Sequence, residues 1–321
     1  PYPIPELVEF LRPYRKHFYR AESLRVLERY AAGLLAEIER KSGAAIAEAV
    51  AGLSKSALYR LMAETEWEET AVNQQRLETM IARAVAGDGL LIIDDTGFPR
   101  KGQKSVGVAH QYCGEVGKKA NCQVVVTSHY VDPYYSWPAL GRLYLPKSWC
   151  EDEERRKAAK IPAEITFQTK PEIALDLIDQ ARAAGIPFTI VGADSSYGDN
   201  PNFLDGLDSR QLKYVVAVAC DFGVRLLDEV TEASARPLPV KKKKGRPRTH
   251  PVQVASLQRA EALIANQPDD AWQTITWRMG DEGPLTKQFV AMRVRRSHRD
   301  LTGPEGWLIG ERPLPGHDGE Y

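Results

Sequence analysis

The sequence lacks the long apolar runs that would place the chain in a membrane. A membrane-spanning helix needs about 20 consecutive apolar residues, and no stretch of this chain approaches that length. The first ten residues, PYPIPELVEF, contain proline and acid where a secretory signal peptide has a basic start and an apolar stretch. We therefore expect a cytoplasmic protein with no membrane partner.

Cysteine is scarce and net charge is absent. The four cysteines include no C-x-x-C pair, which favours reduced thiols over a disulfide framework. His110, Cys113, Cys122 and His129 lack the spacing of a zinc finger, so we expect them to pack rather than to bind zinc. Lys and Arg together number 43, as do Asp and Glu, so any contact with DNA must come from local clusters.

Residues 1–86 have the apolar spacing of helices. Leu24, Leu27, Tyr30 and Leu34 follow one another at intervals of three and four. Ser54 precedes KSALYRLMAE and is a candidate N-cap. These patterns predict a helical N-terminal domain. Such a bundle either binds DNA or only packs, and the sequence leaves both readings open.

From Gly89 onward the pattern changes to short apolar strands. LLIID, SVGVAHQY and CQVVVTSHYV predict three consecutive antiparallel strands. They are followed by a helix over PEIALDLIDQARAAG, a strand over IPFTIVGAD, a helix over NPNFLDGLDSRQ and a strand over LKYVVAVA. This order predicts an α/β fold of the RNase H-like kind, in which right-handed crossovers add further strands parallel to the first.

The C-terminal part does not continue this alternation. Residues 231–250 combine proline with a basic run and predict an extended linker. Residues 251–321 contain one short helical pattern and three strand-like pieces, which predict a mainly β insertion. We therefore expect an RNase H-like core at residues 87–230 that is incomplete at the C-terminus.

Aspartates follow two of the predicted core strands. Asp94 and Asp95 come at the end of LLII, and Asp194 ends FTIVGA in the same way. If these strands are neighbours, the carboxylates converge and repel one another unless a cation lies between them. Oxygen ligands suit Mg²⁺ or Mn²⁺, and two such ions serve phosphodiester chemistry. The alternative is structural, because Asp favours turns and solvated strand ends.

The segment IDDTGFPRKGQKSVGVAHQYCGEVGKKANCQVVV resembles the region of the first catalytic aspartate in bacterial insertion-sequence DDE transposases of the DDTGF type. The likeness continues through LYLPKSWCEDEERRKAAKIP and VGADSSYGDNPNFLDGL to YVVAVA. The resemblance implies that Asp95, directly before Thr96, is the first catalytic and metal-binding acid, with Asp94 as the alternative. It implies that Asp194 is the second.

The resemblance also implies a third acid, a glutamate on a helix nearer the C-terminus. Glu305, Glu311 and Glu320 are the late candidates, and none lies in a helical pattern. We therefore expect the chain to lack the C-terminal part that holds this acid. The resemblance then implies that this chain binds metal weakly and cuts or joins DNA poorly.

Basic residues supply candidate DNA contacts. Loops beside the site would direct four lysines at phosphates without reading sequence, unless they only form a solvated face: Lys101, Lys104, Lys118 and Lys119. The GRPR of KKKKGRPRTH resembles the core of an AT-hook, which would lay Arg246 and Arg248 in the minor groove of A·T-rich DNA. A basic disordered linker is the alternative for this segment.

Together these features predict a DNA transposase that hydrolyses transposon ends and then joins the freed 3′-OH to target DNA by in-line displacement. The resemblance alone implies a homodimer and a place at the bacterial nucleoid. One rival is a phosphohydrolase with an aspartate nucleophile, but that chemistry usually needs Asp-x-Asp, and here the two aspartates are adjacent. The other rival is a catalytically inactive fragment that only binds DNA.

Overall fold

The computed structural model describes residues 2–85, 87–227, 235–236, 252–253, 257–281, 283–298 and 301–315. Contacts between Cα atoms divide the chain into two compact units, residues 1–191 and 192–321. Arg246 and Arg248, with most of the expected linker, lie outside the described residues. The domain limits expected from the sequence stay a prediction.

Residues 2–85 are helical, as the sequence predicts. The helices are α1 (Pro5–Leu11), α2 (Ala21–Leu35), α3 (Gly43–Ala49), α4 (Lys55–Ala63) and α5 (Glu69–Ile81), with a 3₁₀ turn at Arg12–His17. The expected cap of α4 is confirmed, because the Ser54 Oγ accepts a hydrogen bond from the Ala57 N–H at 3.1 Å. Apolar clusters around Leu24 and Leu58 bury the inner faces of these helices.

A mixed sheet follows the helices. Its strands are β1 (Gly89–Pro99), β2 (Ala109–Cys113), β3 (Lys118–Val131), β4 (Ser136–Leu143), β5 (Phe188–Ala193) and β6 (Lys213–Val216). The strand order is β2-β3-β1-β5-β6, and β4 also pairs with β3. The prediction of a mixed α/β fold is therefore confirmed. The boundary between the two compact units falls within β5.

Strand direction follows from register and from contacts at the start of β1. β1 and β3 run antiparallel, with Asp95 opposite Val126. β2 and β4 share the other edge of β3 and are antiparallel to it. The Thr189 Oγ1 near the start of β5 donates to the Gly89 carbonyl at the start of β1 at 3.3 Å. β1 and β5 therefore start at the same end of the sheet and run parallel.

Three details of the expected strands were wrong. β1 continues to Pro99, so Asp94 and Asp95 lie mid-strand rather than at its end. β4 was not expected because Pro138 interrupts its pattern; the strand tolerates this proline since it lies at a sheet edge beside a register shift. Lys118 and Lys119 begin β3 and pair with β2, whereas the sequence placed them on a loop.

Five helices lie in the segments that connect β4 to β5 and β5 to β6. They are α6 (Lys147–Cys150), α7 (Glu153–Ala158), α8 (Lys170–Ala183), α9 (Ser195–Gly198) and α10 (Pro201–Ser209). The expected α8 is confirmed: Thr169 and Glu172 form a capping box at its start, and Gly185 follows its end with φ +80°. α8 packs on β3 and β4 through buried residues such as Leu177 and Ile178.

The second unit contains a separate antiparallel sheet. The strands of this sheet are β7 (Gly223–Leu226), β10 (Gln258–Arg259), β11 (Gln273–Gly280), β12 (Gly283–His298) and β13 (Leu301–Arg312). The short strands β8 (Ala235–Arg236) and β9 (Val252–Gln253) form a two-stranded sheet, and α11 (Ala260–Ala265) directly follows β10. The expected helix and three strands correspond to α11, β11, β12 and β13. α11 packs Leu263 against Val294 and Leu308. No helix in the described ranges is long and apolar enough to span a membrane.

Candidate active site

Asp94 and Asp95 point to opposite faces of the sheet because successive side chains alternate along a strand. Asp95 shares its face with the buried Leu91 and Ile93, and its side chain is 22% exposed. Asp94 is exposed, and its Oδ1 accepts a hydrogen bond from the Asp95 N–H at 2.7 Å. Two adjacent carboxylates therefore have different surroundings, and only that of Asp95 is half-buried.

Lys170, the first residue of α8, forms an ion pair with the Asp95 Oδ2. Its side chain is 28% exposed, and its Nζ lies 5.8 Å from the centroid of the Tyr144 ring. Burial, followed by the charges of Cys150 and Asp95, raises the pKa of Tyr144. Asp95 and the Lys170 ammonium from α8 therefore lie on the same face of the sheet.

Asp194 directly follows β5 and is the N-cap of α9. Its Oδ1 accepts hydrogen bonds from the Ser196 N–H at 3.0 Å and the Ser196 hydroxyl at 2.6 Å, and the side chain is exposed. Gly198 ends α9 against β6, where a Cβ would lie 1.9 Å from the Ala217 carbonyl oxygen. This close approach fixes the short helix that Asp194 caps.

A braced loop at residues 100–108, named here the basic loop, follows β1. It presents Lys101 and Lys104, which are exposed. Asn121 on β3 donates to two loop carbonyls at 2.7 and 2.8 Å, and Gln123 on β3 donates to a third at 2.6 Å. Arg155 on α7 donates to a fourth at 2.6 Å. The loop is therefore held from two sides while its lysines face solvent.

The four residues considered for zinc lie on the strands of this region. Cys113 and Cys122 are buried together, and burial and the hydrogen bond with Cys113 raise the pKa of Cys122. His110 is exposed on β2, and the His129 Nε2 lies 2.9 Å from the Ser136 Oγ. Within the described ranges, no three His, Cys, Asp or Glu side chains come close enough to hold a metal ion together.

Comparison with known proteins shows the family of the chain. Residues 13–284 match the family described as DDE superfamily endonuclease. The chain belongs to this family. Over 220 residues it is 30% identical to the probable transposase for insertion sequence element IS701 of Microchaete diplosiphon. These aligned residues make up 68% of this chain and 55% of that protein. The chain thus spans about half the length of the curated relative it matches.

The matched span contains both candidate acids and ends before the late glutamates. Glu305 and Glu311 lie on β13 rather than on a helix. Glu305 is paired with Arg293, and Glu311 with Lys287 at 2.9 Å. Glu320 lies outside the described residues.

Lys170 is the site residue that the sequence analysis missed. Asp95 and Lys170 are 75 positions apart, so no local pattern shows their contact. One signal was present in the sequence: a lysine directly precedes the predicted helix, at its N-terminal end. The positive end of the helix dipole disfavours a cation there, so the position itself suggests an acidic partner.

Proposed function

We propose that this DDE endonuclease is the transposase of an insertion sequence, which cuts and joins DNA by metal-dependent in-line displacement. Family membership and the similarity to the relative from Microchaete diplosiphon support the reaction class. The observation that favours a working site most is the half-buried Asp95 carboxylate in the middle of β1. β5, the neighbour of β1, leads directly into Asp194.

The proposal includes an RNase H-like core. The order β2-β3-β1-β5-β6 and the parallel start of β1 and β5 support it. In such a core a right-handed crossover returns the chain to the sheet beside its first strand. The first and second acids would then belong to adjacent strands although they are distant in sequence.

The acidic residues fit Mg²⁺ or Mn²⁺, because both ions prefer oxygen ligands and Mg²⁺ takes only one or two carboxylates while keeping several waters. Asp95 and Asp194 would hold the ions, with Asp94 as the less favoured alternative to Asp95. When bound, two such ions activate the attacking oxygen and stabilise the leaving oxygen. We assign no described residue as the third acid, since Glu305 and Glu311 are paired on a strand.

The reaction consists of two displacements at phosphorus. In the first, water breaks a phosphodiester bond at a transposon end and releases a 3′-OH. In the second, this 3′-OH attacks a phosphodiester bond of target DNA and displaces its 3′ oxygen. No protein side chain becomes covalently attached to DNA, so the chain needs carboxylates and cations rather than a nucleophilic residue.

Contacts with DNA backbone are proposed for lysines on the basic loop and at the start of β3: Lys101, Lys104, Lys118 and Lys119. Their exposure and the bracing of the loop support this role. Arg246 and Arg248 are proposed as minor-groove contacts on the sequence motif alone. As a DNA enzyme, the protein would act at the nucleoid, and a homodimer would hold the two transposon ends.

The test is nicking and strand transfer on labelled transposon ends with Mg²⁺ or Mn²⁺. This chain is compared with a version extended through the reading frame beyond Tyr321. We expect cleavage by the extended form and little by this chain. If neither form cleaves while both bind the ends, the protein is a DNA-binding protein without catalysis. The pairing of Glu305 and Glu311 on β13 favours this second candidate.

A further inference from the structure

The ion pair between Lys170 and Asp95 lies at a protected position rather than on a freely solvated surface. Both side chains are less than one-third exposed, and the Lys170 Nζ lies near the Tyr144 ring. Asp95 lies at the centre of a strand paired along its length with β3. The partners are therefore held by elements whose positions are fixed independently of the pair.

The helix that presents Lys170 is anchored firmly. Thr169 and Glu172 close its first turn through a capping box. In its second turn, Asp176 accepts hydrogen bonds from the Arg142 guanidinium at 2.8 Å and from the Gln168 amide at 2.9 Å. Arg142 belongs to β4, so this network ties α8 to the sheet. The backbone of Lys170 is thus fixed, and only its side chain has freedom to move.

The position of Lys170 is electrostatically unfavourable for a helix alone. A cation in the first turn opposes the helix dipole, which has a cost in stability. The Asp95 carboxylate compensates for this cost in the protein without metal. The same carboxylate is the proposed ligand of a divalent cation. The Lys170 ammonium and the metal ion would therefore compete for Asp95.

We propose that Lys170 is the built-in counter-cation of Asp95: it holds the carboxylate before metal binds and must release it for metal to load. Lys170 is then a positioning residue that sets the affinity of the site for divalent cations. The proposal rests on the assignment of Asp95 as a metal ligand in the proposed function. Long, unbranched lysine suits this role, since its terminal ammonium can move while its backbone stays fixed.

The test is a titration of the protein with Mn²⁺, in which free Mn²⁺ is followed by electron paramagnetic resonance. Lys170→Met removes the charge and keeps the length of the side chain. We expect it to bind Mn²⁺ about 30-fold more tightly, the effect of removing one unit charge about 4 Å from a divalent cation in a water-like dielectric. Lys170→Arg keeps the charge and should stay close to the wild-type affinity.

Lys147→Met is the matched control, because Lys147 is paired with Glu151 on α6 and is 67% exposed. It should leave the affinity for Mn²⁺ unchanged. The double variant Asp95→Asn/Lys170→Met isolates the pair: without the Asp95 carboxylate, Lys170→Met should have no further effect. The rise in melting temperature that Mn²⁺ produces should also be larger for Lys170→Met than for the wild type, since ligand binding stabilises the folded state.

Unchanged or weaker Mn²⁺ binding by a folded Lys170→Met variant overturns the inference. So does equal tightening in the Asp95→Asn background, which would show a general effect of charge. If Lys170→Met does not fold, Lys170→Gln replaces it in the Mn²⁺ titration, because it also removes the charge. Wild-type Mn²⁺ affinity in Asp95→Asn would instead contradict the proposed function itself, because Asp95 would then not be a metal ligand.

Discussion

Asp132 shows how a single carboxylate stabilises the edge of the sheet. It closes the turn between β3 and β4 and is 8% exposed. Its Oδ1 accepts hydrogen bonds from the Tyr134 and Tyr135 N–H groups at 2.8 and 2.7 Å. Its Oδ2 accepts from the Val85 N–H at 2.8 Å and the Tyr130 hydroxyl at 3.2 Å. The carboxylate therefore links this turn to the segment that precedes β1.

These hydrogen bonds predict a pH dependence of stability. Burial alone would raise the pKa of Asp132, but the hydrogen bonds outweigh it and hold the pKa below its usual range. The ionised Asp132 carboxylate therefore stabilises the fold at pH values above the unfolded pKa of about 3.9. This stabilisation is lost as the pH falls through the lower pKa of the folded state. Asp132→Asn should lower the melting temperature at neutral pH, because its amide cannot accept from Val85.

The difference in melting temperature from the wild type should narrow as the pH falls below the unfolded pKa of about 3.9 and through the lower folded pKa, where Asp132 itself becomes protonated. Thermal unfolding followed by circular dichroism from neutral to acid pH measures it. The exposed Asp281→Asn, in the turn between β11 and β12, is the control and should follow the wild type. A constant difference at every pH would show that the charge of Asp132 does not contribute.

At the same scale, the sequence could indicate Asp95 but not its surroundings. Alternation along LLIIDD shows that Asp94 and Asp95 face opposite ways, yet the buried face depends on where α8 packs. Lys170 was missed because its contact with Asp95 depends on tertiary packing. The local signals of Ser54 and Thr169 as helix caps, by contrast, depend on neighbouring residues only, and the cap at Ser54 could be predicted.

At the scale of elements, the basic loop is the part of the site whose order depends on side chains from elsewhere. Asn121 and Gln123 hold it from β3, and Arg155 holds it from α7. Arg155 is itself placed by Trp149, with its guanidinium carbon 3.5 Å from the ring centroid. These contacts hold the loop in place without DNA, which would lower the entropic cost of the proposed phosphate contacts.

Lys101→Ala/Lys104→Ala should weaken binding to DNA of any sequence. Each lysine that contacts a phosphate releases counterions, so the slope of log affinity against log salt should become less negative by about 1–2 for the double variant. Fluorescence anisotropy over a series of salt concentrations measures this slope. Lys157→Ala, on α7, is the comparison variant and should keep the wild-type slope. An unchanged slope for the loop variant would contradict the proposed phosphate contacts.

Elements differed in how well the sequence predicted them. α8 was expected because Pro171 and Gly185 mark its ends and its apolar residues have helical spacing. β4 was not expected, because proline usually interrupts a strand. Only the pairing of β4 with β3 shows that Pro138 lies at an edge of the sheet. β1 was predicted too short, since its polar half has no apolar pattern, and pairing with β3 extends it to Pro99.

At the scale of the whole molecule, the place of β5 beside β1 could be predicted because topology restricts it strongly. The order of the first strands could not: they were expected as consecutive antiparallel strands, whereas β1 pairs with β3 and β2 lies on the other edge of β3. Once three strands are followed by a helix and another strand, a right-handed crossover places that strand beside the first. The division into units at residue 191 could not be predicted, since it depends on contacts distant in sequence.

The most direct test of the proposed site is cleavage of labelled transposon ends by Asp95→Asn and Asp94→Asn variants, in whichever of the two chain lengths cleaves. The two residues are adjacent but lie on opposite faces of β1. We predict that Asp95→Asn lowers cleavage by more than about 100-fold, beyond the usual loss for residues that only orient metal ligands. DNA binding should persist, and Asp94→Asn should cleave nearly as the wild type. Cleavage retained by Asp95→Asn, or lost equally in both variants, would contradict Asp95 as the first catalytic acid.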